Sequence, residues 1–254
     1  MFQPALQFTN KFIGILTLSL LEAMRFINKD GLAGHTYIKN TLENLRKIVW
    51  NALPITTLTI SAISIIYSIH IAPDFAVRGL NLYFGGIVAL ALIREGVPVM
   101  GALAIITHYA TGITAQIGSM KATEQIDAMK ISKVSPVAYL LVPMIIAAVI
   151  GFPILVSIGI FVGLVVSFIS TSILIDLNLT LFTTSILQAI VIKDVFLAIV
   201  KAIVFGFVVS LISYTCGITT GYGAKAVGDS TKLSVVINFT LVIILDYLIT
   251  ALWL

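Results

Sequence analysis

Four charged residues stand inside long apolar stretches of this chain: Arg94, Glu95, Lys201 and Asp246. A charge at the centre of a bilayer costs roughly 2.5–3.5 kcal/mol on insertion scales, so each must face protein or a wet cavity. Arg94 and Glu95 are adjacent, about 100° apart on a helix, and do not simply neutralise one another. Each needs something further: a lipid headgroup, water or another helix. For this pair a structural anchor and a place at a substrate site are equally open. Lys201 and Asp246 differ, because they can meet. Lys201 lies about eight residues inside the outer end of its span, and Asp246 lies eight residues before Leu254. At 1.5 Å per residue both sit roughly 12 Å below one boundary. Consecutive antiparallel spans are neighbours, so the two are expected to form an intramembrane pair.

Other chemistries are missing their parts. The three histidines, His35, His70 and His108, are scattered, without the spacing of metal ligands. The single cysteine, Cys216, permits neither an internal disulfide nor a cysteine metal cluster. No nucleophile–base pair suggests an enzyme acting on lipids. Gly223–Ser230 has the G-x-x-x-x-G-x-S spacing of a phosphate loop, but Asp229 stands where the phosphate-binding lysine belongs, and no strand precedes it. Any nucleotide chemistry must therefore be done by another subunit. No metal or cofactor of the chain's own is expected, and no nucleic-acid partner.

The elements that position the four charges are apolar runs. Of 254 residues 59% are hydrophobic and 10% charged, far from the roughly 25% charged of an average soluble domain. The expected fold is an all-α integral membrane protein. An N-terminal segment, 1–47, reads as an interfacial helix, since Glu22, Arg25 and Lys29 interrupt its apolar stretch. A transmembrane unit, 48–254, then holds five spans at about 48–72, 81–117, 137–168, 193–216 and 233–254. The second run would measure roughly 55 Å, too long for a hydrocarbon core of about 30 Å, so a kink is expected at Gly96–Pro98. Residues 169–192 read as a loop with short helices, and 217–232 as a Gly-rich loop. With the N-terminus cytoplasmic and the C-terminus periplasmic, 11 of the 15 basic residues fall on the cytoplasmic side. No cleavable signal peptide and no internal repeat is evident.

Between the second and third runs lies the longest polar interruption, Gly118 to Pro136. Lys121, Glu124, Asp127 and Lys130 recur at i+3 steps, one charged stripe on a helix over about 119–133, with Met120, Ile126 and Met129 falling away from it. By the residues alone this is a solvated connector or an amphipathic helix that transmits force from a soluble partner. The connector is the simpler reading.

Several of these stretches together resemble the MlaE/YrbE permease family. They are Arg94-Glu95-Gly96-Val97-Pro98, then Gly118-Ser119-Met120-Lys121-Ala122-Thr123-Glu124-Gln125-Ile126, then Tyr139-Leu140-Leu141-Val142-Pro143. Leu53-Pro54-Ile55, Lys201-x-x-x-Phe205 and Leu245-Asp246-Tyr247-Leu248-Ile249-Thr250-Ala251-Leu252 extend the likeness over about residues 40–254. The resemblance implies a non-catalytic permease subunit of an ABC-type transporter in a bacterial inner membrane. Its cargo would be phospholipids moved between inner and outer membranes, maintaining outer-membrane asymmetry. Two copies would assemble with an ABC ATPase that binds the ATP, with a periplasmic MCE-domain protein and often with a small STAS-domain protein. It makes the polar segment the coupling helix seated on the ATPase, carried by Met120, Lys121, Thr123, Glu124, Gln125, Asp127, Met129 and Lys130. Arg94 and Glu95 would line a lipid pocket.

The chain also departs from the family pattern. Gly96-Val97 replaces the family's Leu-Gly, and His108 and Gln116 stand at positions where many members carry an Arg and a Glu. An ATP-independent lipid carrier or channel is the alternative function, distinguished by lacking any co-purifying ATPase.

Overall fold

The computed structural model describes residues 3–29 and 35–253, with the side chains of 12–25 and 37–253. The described residues form helices and short connections. In chain order these are α1 (Gln3–Lys29), α2 (His35–Val77), α3 (Asn81–Ala91), α4 (Val97–Ile105), α5 (Thr111–Ala122), α6 (Gln125–Ile131), α7 (Val142–Ile175), α8 (Leu179–Ala189), α9 (Ile192–Ile218) and α10 (Ala224–Trp253). Five stretches are long and apolar enough to cross a membrane: Tyr37–Val77, Asn81–Ala122, Val137–Ile175, Ile192–Ile218 and Ala224–Trp253. In the second, π-helical turns at Leu92–Gly96 and Ile106–Ala110 join α3, α4 and α5 into one helix, and the third opens on a π-helical turn at Val137–Leu141.

Helix bounds depart from the sequence expectation in four places. The helix of the first span begins at His35, well before Ile48, and Leu45 and Ile48 pack it on Gly151 of α7. The stretch expected as a loop from 169 is helical to Ile175, where Asp176 turns left-handed at φ 48°. Only 219–223 separates α9 from α10, so most of the expected Gly-rich loop is the first turns of α10. The overlong second run, where a kink is expected from the sequence, widens into a π-turn just ahead of Pro98.

Close helix approach builds the core. Gly206 of α9 lies so near α7 that an added Cβ would stand 2.6 Å from the Ala148 carbonyl oxygen. Gly85 and Gly86 of α3 admit α8 in the same way, and the Gly86 N–H donates to Ser185 Oγ at 2.8 Å. Without a hydrophobic drive between helices in lipid, small residues and interhelical hydrogen bonds hold such packing. Two polar seams supply the bonds. Ser68 meets Ser167 at 3.1 Å between α2 and α7. Thr114 donates to Ser234 at 2.8 Å, and Asn238 donates to Ser213 and Ser234, joining α5, α9 and α10. The outward faces stay apolar, Leu58 of α2 and Phe161 of α7 each being about 70% exposed. α10 is the least covered span, with 11% of its most apolar window buried.

Candidate functional site

Pro98 begins the site. Its nitrogen carries no hydrogen, so the carbonyl of Arg94, four residues earlier, has lost its helical donor. The backbone answers by widening into the π-turn Leu92–Gly96, with the Val97 N–H reaching the Leu92 carbonyl. The orphaned Arg94 carbonyl is then taken by a side chain: Lys201 Nζ of α9 donates to it at 2.8 Å.

Lys201 is fully buried, and three oxygens surround its ammonium, two hydrogen-bonded and one ion-paired. Beside the Arg94 carbonyl these are Glu95 Oε2 at 2.9 Å and Asp246 Oδ1 of α10 at 2.7 Å. The Asp246 contact is close but lies off the hydrogen-bond direction, and is an ion pair. Thr250, one turn after Asp246, donates to the other Glu95 oxygen at 3.1 Å. Arg94 turns the opposite way, its Nε donating to Asp194 Oδ1 at 2.8 Å. The second Asp194 oxygen accepts the Val191 N–H at 3.0 Å and so caps α9. Three helical segments are thereby tied by five charges, two positive and three negative.

Burial divides this knot. Asp194, Lys201 and Asp246 side chains are 7%, 0% and 15% exposed, whereas those of Arg94 and Glu95 are 43% and 45% exposed. Arg94 and Glu95 thus line a cavity of about 660 Å³ whose walls include Leu90, Ala91, Leu197 and Trp253. A charged floor under apolar walls suits a molecule with a polar head and an apolar body.

Arg94 and Glu95, open in the sequence reading, each find a partner from another helix. Lys201 meets Asp246 but shares itself with Glu95, so the expected pair is a triad. Asp194 and Thr250 escaped attention. Spacing could have found both: Asp194 is seven residues before Lys201, on the same face of α9, and Thr250 is four after Asp246.

The second candidate region, the polar segment, is not one helix over 119–133. α5 ends at Ala122, Glu124 turns left-handed at φ 61°, and α6 restarts at Gln125. The regular stripe is broken: Lys121 Nζ reaches past the break to Asp127 Oδ2 at 2.7 Å, while Asp127 and Lys130, three apart, stay within 3.8 Å. The hydrogen bond from Lys121 holds the Asp127 carboxyl below its ordinary value. Ile126 is buried, and Met120 and Met129 pack on the core, leaving Thr123, Glu124, Gln125 and Lys130 outward. Lys133 and Asp176 turn left-handed in the same way, at φ 59° and 48°, where other helices end.

A family model described as Permease MlaE matches residues 41–252. The chain is 33% identical over 219 residues to a probable ABC transporter permease protein of Synechocystis sp., covering 86% of this chain and 83% of the relative. A probable ABC transporter permease protein of Rickettsia typhi is 33% identical over 240 residues, 94% of this chain and 91% of its own. The Arabidopsis thaliana protein trigalactosyldiacylglycerol 1, chloroplastic, is 30% identical over 220 residues, 87% of this chain and 63% of its own.

Proposed function

The chain belongs to the MlaE permease family, and from that membership we propose that this ABC transporter permease moves phospholipids between the inner and outer membranes. The observation that carries the lipid reading is the cavity at Arg94 and Glu95, a half-exposed charge pair under apolar walls. The name of the Arabidopsis relative, which is that of a galactolipid, supports it. In this reading Arg94 takes the lipid phosphate, with Asp194 orienting its guanidinium from behind. Glu95, held by Lys201 and Thr250, faces the cationic or hydroxylic part of the head. Acyl chains lie along Leu90, Leu197 and Trp253.

The scarcely covered α10 supports a second copy of the chain against it, closing the cavity. The N-terminus is cytoplasmic and the C-terminus periplasmic, in an inner membrane whose outer partner layer the transport keeps asymmetric. An MCE-domain protein receives lipid on the periplasmic side, a STAS-domain protein joins on the other, and the ATPase seats on 118–136.

Glu95→Leu is the test of the cavity. Its side chain is half exposed, so insertion and assembly should survive, while phospholipid co-purifying per chain, read by mass spectrometry, should fall several-fold. Lipid retained at the unsubstituted level would remove the cavity from the transport path.

The ATPase seat has its own expected result. Glu124 is exposed and its left-handed backbone suits Lys no worse, so Glu124→Lys leaves the fold alone. It should cut capture of the ATPase by the solubilised chain on the order of tenfold, a loss of about 1.4 kcal/mol. Capture at full strength would return the segment to a connector.

A further inference from the structure

The charge-rich end of α2 presents a second recess. Glu43, Arg46, Lys47, Trp50 and Asn51 line about 730 Å³ on one side of the helix. It is remote from the cavity already described: Gly96 packs beside Tyr67, which is 17 residues along α2 from Trp50, or roughly 25 Å. Residues 43, 47, 50 and 54 share a helical face, which continues upward into the exposed Leu58, Ile65 and Ile69. Trp50 is 69% exposed at the point where the charged segment meets the apolar one. An indole so placed marks a membrane–water interface, and Arg46 and Lys47 then lie about 5–6 Å outside it, at headgroup depth.

Glu43 is three residues from Arg46 and four from Lys47, within pairing range of both. Yet among the described residues neither cation is in an ion pair. Two unpartnered cations therefore share the recess with one carboxylate, which sits at the end away from Trp50. Lys39 adds a third positive charge in the adjoining groove.

We propose that this recess binds the headgroup of an anionic phospholipid. The phosphate sits on Arg46 and Lys47, the guanidinium forking two of its oxygens. The Trp50 ring lies at the glycerol level, Asn51 donates to an ester carbonyl, and the acyl chains run along Leu58 and Ile65. A choline headgroup would place its own cation among these basic side chains, so the site discriminates by charge. A second copy docked symmetrically through the same face would oppose like charges across the contact, which disfavours it as the occupant.

The chain contains two tryptophans, Trp50 and Trp253, so Trp253→Phe leaves one indole at the recess. The full chain carrying that substitution is placed in phosphatidylcholine nanodiscs with a minor fraction of acyl-brominated phosphatidylglycerol or acyl-brominated phosphatidylcholine. Brominated phosphatidylglycerol should quench Trp50 severalfold more than brominated phosphatidylcholine at equal mole fraction. Adding Arg46→Gln and Lys47→Gln should make the two lipids equal, and high salt should narrow the gap. Equal quenching without those substitutions overturns the proposal, and so does quenching by neither lipid, which means a second copy or another protein covers the face. Loss of the preference in inorganic phosphate but not in chloride of equal ionic strength would also overturn it, in favour of a free-anion site. The readout is contact, so it stands whether or not phospholipid is the cargo at Arg94.

Discussion

Lys201→Met is expected to be the most damaging single substitution in this protein. It removes the cation that neutralises Glu95 and Asp246 and the donor that satisfies the Arg94 carbonyl. Breaking a buried ion pair by deleting one partner costs about 3–5 kcal/mol, because the partner left behind stays charged in a place that cannot solvate it. Here the buried Asp246 and the Arg94 carbonyl are left behind together, while the half-exposed Glu95 loses its ion pair. Asp246→Asn should cost less, since Lys201 keeps both of its hydrogen-bond acceptors. The double variant Lys201→Met with Asp246→Asn should be less damaged than Lys201→Met alone, and adding Glu95→Gln should recover more. Unfolding of the purified chain in mixed detergent micelles would order the series. Strictly additive losses would mean that the three side chains are not coupled. A Lys201→Met midpoint equal to that of the unsubstituted chain would mean that Lys201 is not the buried centre of the knot.

Gly206→Ala tests the scaffold that brings Lys201 to that centre. The new Cβ would meet the Ala148 carbonyl oxygen at 2.6 Å and its carbon at 2.9 Å, and backbone cannot swing aside as a flexible side chain can. α9 must back away from α7, and Lys201, five residues earlier on α9, moves with it. Overpacking of this kind costs about 1–3 kcal/mol. Gly228→Ala is the matched control: it also lies in a helix, but nothing stands within 4 Å of its added Cβ. There the gain in helix propensity should leave stability unchanged or raise it by up to about 1 kcal/mol. Equal behaviour of the two variants in the same unfolding assay would dismiss the α7–α9 close approach.

The two substitutions sort what was readable in the chain from what was not. Apolar runs longer than a bilayer is thick dictate membrane-spanning helices, because a backbone in hydrocarbon must satisfy its own hydrogen bonds. That argument needs only composition and length, and the five spans follow from it. The meeting of Lys201 with Asp246 was also within reach, since equal depth on consecutive antiparallel helices is arithmetic on residue numbers. The third member of the triad was not, because the direction in which Glu95 points depends on the π-turn ahead of Pro98. One extra residue in a helical turn rotates every side chain beyond it, and periodicity read at 3.6 residues cannot foresee it. The polar segment failed for a related reason. Spacing at i+3 promised one charged stripe, but a left-handed Glu124 with no glycine to announce it broke the helix and handed Asp127 to Lys121. Residue types and their order decided that this protein crosses a membrane, and which charges it must hide there. Which charge faces which, and which of the five line a cavity, was decided only when local turns and close helix contacts fixed the rotation of each helix.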